Sequence, residues 1–160
     1  MGKVLKEFKN GYAGAVSRSI DDVIISLRNA SGGEIAFGAP VFLVPGEKAC
    51  RGFVSGTSTA ETFLGIAVRL PEKTPETYGS SLGCYKANEL VEILVRGSTV
   101  LNMESVAVPG NNVYIRVADG KLVNDAGSSG STLQLPNVTV RTSRDTARRA
   151  EVVITKRNIM

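Results

Sequence analysis

Residues 34–44 read Glu34-Ile35-Ala36-Phe37-Gly38-Ala39-Pro40-Val41-Phe42-Leu43-Val44, and residues 63–68 read Phe63-Leu64-Gly65-Ile66-Ala67-Val68. Both are short apolar runs bounded by glycine or proline, the pattern of strands buried in a core. Pro45-Gly46 closes the first run as a turn pair, and Pro71 ends the second shortly after it. Neither run contains a reactive side chain. The chain of 160 residues has no histidine and no tryptophan, so a shell or binding component is a more natural reading than an enzyme.

The same grammar continues outward. Residues 89–96 alternate, with Val91, Ile93 and Val95 on one face, until Gly97 interrupts them. Pro109-Gly110-Asn111-Asn112 turns the chain into an alternating run over 113–118. Asp119-Gly120 follows, then Lys121-Leu122-Val123. Asp-Gly between two such runs predicts a hairpin with a type I′ turn, whose central residues both need positive φ. Residues 133–141 and 151–155 read as the last strands, with Pro136 marking an edge or a bulge. Residues 71–88, polar and rich in proline and glycine, form the longest predicted loop, and residues 58–61 have the residues to cap a single helical turn. Residues 19–27 stay open: Ile20, Val23, Ile24 and Leu27 have helical spacing, while Val23-Ile24-Ile25 is a β-branched run. Many short strands separated by turns define an all-β fold, a compact β-sandwich or closed β-barrel, jelly rolls included. The expected organisation is an extended N-terminal arm over 1–12 and a single β domain over 13–160.

Composition narrows function. Hydrophobic content of 42% and charged content of 21% are those of a globular chain. No apolar run approaches the roughly 20 residues of a membrane-spanning helix, and the N-terminus lacks the apolar centre of a signal peptide, so a protein that is not exported and engages no membrane is expected. Cys50 and Cys84 match no metal or redox spacing and read as two buried reduced thiols. Without histidine, a Ser-His-Asp triad, a Cys-His pair and a histidine metal site are excluded. Asp21 and Asp22 are adjacent and point to opposite faces of a strand, so they are no acid/base pair. Gly127-Ser128-Ser129-Gly130 lacks the lysine of a phosphate loop, and Asn29-Ala30-Ser31 matches a glycosylation acceptor by accident. No catalytic residue, cofactor-binding residue, metal ligand or small-molecule substrate is expected. The net charge of +4 lies in one place, a basic strip over 141–157 holding Arg141, Arg144, Arg148, Arg149, Lys156 and Arg157. No aromatic residue interleaves it, which argues against a nucleic-acid module.

In order and spacing these blocks resemble the capsid cement, or decoration, proteins of tailed bacteriophages. The resemblance runs from Gly11 to Thr155. It is carried by Gly11-Tyr12-Ala13-Gly14, Val23-Ile24-Ile25-Ser26 and Ile35-Ala36-Phe37-Gly38 with Val41, then Phe63-Leu64-Gly65-Ile66-Ala67 and Val91-Glu92-Ile93-Leu94-Val95-Arg96-Gly97. Val108-Pro109-Gly110, Val113-Tyr114-Ile115, Asp119-Gly120-Lys121-Leu122 and Leu135-Pro136-Asn137-Val138 complete it. The chain departs from the pattern at its close, where Arg144, Arg148 and Arg149 stand in place of more apolar residues. The resemblance implies a non-enzymatic virion protein, made in the host cytoplasm, on the outer surface of an icosahedral head. There it would bridge neighbouring major capsid subunits as a homo-dimer or homo-trimer. The expected contacts are Val4, Leu5 and Phe8 buried on the partner, with Lys3, Lys6, Lys9, Arg144, Arg148 and Arg149 meeting acidic patches. The rival readings are a head-completion or tail structural protein, which would form a ring, and a nucleic-acid-binding β-barrel, whose affinity would fall steeply with salt.

Overall fold

The computed structural model describes residues 9–71 and 83–158, without the side chain of Ser19. The contact candidates Lys3, Val4, Leu5, Lys6 and Phe8, and most of the long loop expected over 71–88, lie outside them. The fold is all-β. Eleven strands are described: β1 (Val16–Asn29), β2 (Ile35–Ala36), β3 (Pro40–Leu43), β4 (Ala49–Arg51), β5 (Phe63–Ala67), β6 (Cys84–Tyr85), β7 (Leu90–Asn102), β8 (Asn112–Arg116), β9 (Leu122–Val123), β10 (Thr132–Val140) and β11 (Arg149–Ile154). A 3-10 turn, Ala60–Thr62, sits just before β5.

Nine strands form one sheet in the order β1-β4-β3-β5-β7-β11-β10-β8-β9, and β1 also pairs with β7. That extra pairing closes β1, β4, β3, β5 and β7 into a five-stranded barrel, and β11, β10, β8 and β9 extend the sheet from the far half of β7. β2 and β6 pair separately, Ile35 opposite Tyr85. Barrel and extension share β7: Ile93 and Leu94 pair with β5, whereas residues 97–102 pair with β11.

Two cores result, on opposite sides of the β3–β5 wall. Val41, Cys50, Leu64, Ala67, Val91, Ile93 and Val95 pack within the barrel with Tyr85 and Phe37. Phe42, Phe63, Ile66, Leu101, Ile115, Leu135 and Val152 form the second cluster. A β-bulge sets this division. Val41 pairs with Gly65 and Phe42 with Phe63, which leaves Leu64 as the extra residue. The insertion shifts the alternation, so Phe63 and Ile66 share one core while Leu64 and Ala67 share the other. All five residues of β5 are buried, because a strand apolar on both faces is a strand buried on both faces.

Residues 19–27 belong to β1. The helical spacing has no buried face, since Ile20 is fully exposed and Val23 and Ile24 are 37% and 43% exposed. Pairing with β7 decides the matter. The register of that pair shifts between Arg18 and Val23, and Gly97, at φ +123°, lies under the irregular stretch. A Cβ at Gly97 would stand 2.2 Å from Asp22 Oδ1.

The hairpin at Asp119-Gly120 forms, but without a type I′ turn. Arg116 is bonded to Lys121, making a four-residue loop over 117–120, and of its residues only Gly120 has positive φ. Asp119 instead accepts from Arg116 Nε (2.9 Å), Arg116 Nη2 (2.5 Å) and the Lys121 N–H (3.2 Å). This holds its carboxyl down at about 2. Pro136 is accommodated by a bulge, because β10 lies between β11 and β8 and the β8 register shifts between Gln134 and Thr139. Within the expected loop over 71–88, Cys84 and Tyr85 form β6. The Tyr85 hydroxyl donates to Val68 O at 2.6 Å from full burial. Both cysteines are free. Cys50 is buried, which pushes its thiol up to about 11, whereas Cys84 is only half-buried. Asn29 is fully buried: its amide donates to Gly33 O and Lys86 O, and its carbonyl accepts from Ser31.

Candidate functional site

Asn10, in the segment expected to end the arm, is fastened to the loop between β10 and β11. The Asn10 N–H donates to Asp145 Oδ2 at 2.8 Å, and its amide donates to Arg149 O at 2.7 Å and Ser143 O at 3.0 Å. Its side-chain oxygen accepts from the Thr142 hydroxyl. One residue on, Arg149 Nη1 donates to Gly11 O at 2.6 Å. The Tyr12 ring has two guanidinium neighbours, Arg69 at 4.7 Å and Arg149 at 4.9 Å from its centroid, each contact a cation–π attraction. Gly14 then crosses the mouth of the barrel. Its φ is +77°, and a Cβ there would meet Ala67 O and Gly38 N at 2.7 Å, so only glycine allows the approach. The Gly14 N–H bonds to Val100 O, and β1 begins two residues later.

Asp145 organises this loop. Besides Asn10 it accepts from the Arg149 N–H at 2.9 Å, and its carbonyl accepts from the Arg148 N–H. Arg148, at φ +61°, takes the left-handed turn before β11. Arg144 reaches the other way and donates to Glu104 O at 2.5 Å and Met103 O at 3.3 Å. Arg148 Nη1 lies 3.4 Å from Glu104 Oε2, and Lys121 Nζ lies 3.5 Å from Glu104 Oε1.

The same loop lines two open grooves. One, of about 510 Å³, runs between Phe37, Met103, Glu104, Lys121 and Arg148. The other, of about 470 Å³, is bordered by Val106, Val108, Arg144 and Thr146, and Val106 and Val108 are exposed.

Of the contact residues expected from the sequence, Arg144, Arg148 and Arg149 lie at the loop before β11, where Arg149 meets Gly11 and Tyr12 while Arg144 and Arg148 turn to Glu104. Arg144 and Arg149 are half-buried and spend donors on carbonyls of their own chain, while Arg148 keeps 65% of its side chain exposed. Lys9 is exposed at the edge of the described region. Sequence reasoning missed Asn10, Tyr12, Arg69 and Asp145. Nothing local in the sequence announces a partner as distant as Asp145 is from Asn10.

The described residues thus form an all-β body of buried apolar strands, with Asp145 and Arg149 fastening Asn10 and Gly11 and two shallow grooves at the surface. Residues 2–155 match a family model described as structural cement protein (E217 gp24/Pam3 gp6). The chain belongs to this family of phage structural cement proteins and is a non-enzymatic component of the virion. Among solved structures it is similar to a chain in the capsid of Myoviridae phage XM1, at 20% identity and a TM-score of 0.71, with 96% of each chain covered. It is also similar to the head fiber gp8.5 N base of bacteriophage phi29, at 11% identity and a TM-score of 0.43, covering 86% of this chain and 99% of that one. No curated protein sequence matches it. The all-β, non-enzymatic cement protein expected from the sequence therefore stands.

Proposed function

We propose that this chain binds the outer surface of an assembled icosahedral head and cements neighbouring major capsid subunits, itself assembling as a dimer or trimer. Residues 1–12 act as an arm and residues 13–160 as the body. Val4, Leu5 and Phe8 supply apolar burial on the capsid, and Lys3, Lys6 and Lys9 meet acidic patches beside it. Arg148 joins them from the body. Arg144 and Arg149 contribute chiefly by holding the loop on which the arm is mounted.

The observation that carries this reading is the fastening of Asn10, Gly11 and Tyr12 to the loop before β11. A cement must transmit load between subunits, and an arm joined to a strand through several hydrogen bonds does so where a free tether would not. Many copies around a shell then turn modest individual contacts into strong reinforcement, because each later contact is effectively intramolecular.

The test is removal of residues 1–8, which leaves Asn10 in place. Heads lacking the protein are incubated with full-length and truncated chains, and occupancy is measured by co-sedimentation and cryo-electron microscopy. Reduced occupancy with an unchanged melting curve is expected. Equal occupancy would remove the arm from the mechanism, and density inside the shell or in the tail would overturn the outer-surface assignment.

A further inference from the structure

Asn10-Gly11 is the one Asn-Gly pair in the chain, every other asparagine preceding a residue with a side chain. It sits in the latch that fastens Asn10 to the loop before β11. Glycine has no side chain to keep its amide nitrogen away from the preceding asparagine's carboxamide, so this pair is open to spontaneous cyclisation. After base removes its proton, the Gly11 nitrogen attacks Asn10 Cγ. The N–Cγ bond forms, the Cγ–Nδ2 bond breaks, and the side-chain nitrogen takes up a proton and leaves as ammonia. Water then opens the cyclic imide at either carbonyl, giving aspartate or isoaspartate. Water is the only co-reactant.

We propose that Asn10 is a deamidation site which the closed latch protects, and whose conversion opens the latch permanently. Protection follows from the hydrogen bonds. Nδ2, the leaving group, donates to Arg149 O at 2.7 Å and to Ser143 O at 3.0 Å, and Oδ1 accepts from the Thr142 hydroxyl at 3.2 Å. Both donors and the acceptor of the carboxamide are thus engaged, and cyclisation pulls them from their partners. The main chain is pinned on either side, with the Asn10 N–H on Asp145 Oδ2 at 2.8 Å and Gly11 O on Arg149 Nη1 at 2.6 Å. Reaction therefore runs through the opened latch, at a rate set by how often it opens. Permanence follows from the product. Either acid puts a carboxylate where two N–H donors stood, facing the carbonyl oxygens of Arg149 and Ser143, which then lose their partner. It also adds charge to the residue whose N–H holds the Asp145 carboxylate. Isoaspartate further lengthens the main chain just before the carbonyl that Arg149 holds. Each opening that reacts is recorded for good, and the latched fraction of chains declines with time.

The inference does not depend on attachment to heads and is tested on the isolated full-length chain. Peptide mass mapping follows conversion of Asn10 in mildly alkaline buffer, natively and in concentrated urea, and an isoaspartate methyltransferase labels the rearranged product. Native wild type should convert at least about tenfold more slowly than the unfolded chain. Asp145→Ala should speed native conversion about tenfold or more. Asp145→Asn, which keeps an acceptor, should speed it less, and carries the comparison if Asp145→Ala does not fold. Asn10→Asp, the product itself, should raise hydrogen exchange over residues 10–14 while β5 and β7 keep their protection. Equal rates in native and unfolded chains would overturn the proposal. So would a native rate indifferent to both Asp145 variants, or an Asn10→Asp chain that exchanges over residues 10–14 as slowly as wild type.

Discussion

Asn10 and Asp145 stand 135 residues apart in sequence, yet the N–H of the first donates to the carboxylate of the second at 2.8 Å. The same carboxylate accepts from the Arg149 N–H at 2.9 Å. One side chain thus ties the start of the described chain to the start of its last strand.

Asp145→Ala removes both acceptors at once. Hydrogen bonds to a charged group contribute about 1.5–3 kcal/mol each when sheltered, and this site is only partly buried, so a total loss of about 2 kcal/mol is expected. Thermal melting measures it. Limited proteolysis should find a new cut near residues 9–14, and an unchanged cleavage pattern would count against this account of the arm base.

Gly97 occupies a backbone conformation that side chains rarely adopt, and Asp22 fills the space above it. Gly97→Ala should destabilise the fold by about 2–4 kcal/mol. Adding Asp22→Ala relieves the clash but not the backbone strain, so the double variant should recover part of the loss. Denaturant midpoints decide this, and full recovery would show that strain at φ +123° matters little.

Phe63 anchors the second core from a strand that also walls the first. It is fully buried and lies edge-on to Phe42, with centroids 5.7 Å apart. Phe63→Ala should cost about 3–5 kcal/mol, read from urea unfolding. A loss under about 1 kcal/mol would mean that the two cores close over the cavity.

Two aspartates should titrate in opposite directions. Burial first, and the neighbouring Asp21 charge, raise Asp22 above 3.8 against the opposing Ser98 hydrogen bond. Its folded state therefore gains stability below 3.8 and loses it as pH rises through the raised value. Asp119 is held at about 2, first by the Arg116 hydrogen bonds. Its contribution is present above 3.8 and lost as pH falls through about 2. Carboxyl carbon NMR should resolve both midpoints, and Arg116→Ala should return Asp119 toward 3.8 while leaving Asp22 in place.

Much of this fold is legible in the residues. Phe37, Phe42 and Phe63 read as core and are core, since runs such as Phe63-Leu64-Gly65-Ile66-Ala67 have no polar face to show water. The residues before β5 supply a single turn, although its cap is Thr59, bonded to Thr62, while Ser58 serves Val54. β4 was not visible, because Ala49-Cys50-Arg51 is too short to show a period and forms by pairing with β1 and β3. The Asp119 turn was misread because Asp-Gly reports that a chain turns, whereas loop length is set by where flanking strands find their register. The arm base was illegible, its contacts joining residues that no local pattern relates.

The sequence by itself determined what must be buried, where the chain turns and which chemistries are excluded, because these depend on side-chain type and on periods of two. Tertiary structure decided what pairing across distance decides. It settled residues 19–27 as strand, closed five strands into a barrel, and let one bulge divide β5 between two cores. It also placed Asp145 beneath Asn10. Those outcomes rest on which backbone edges meet, and a backbone edge is the same for every residue but proline.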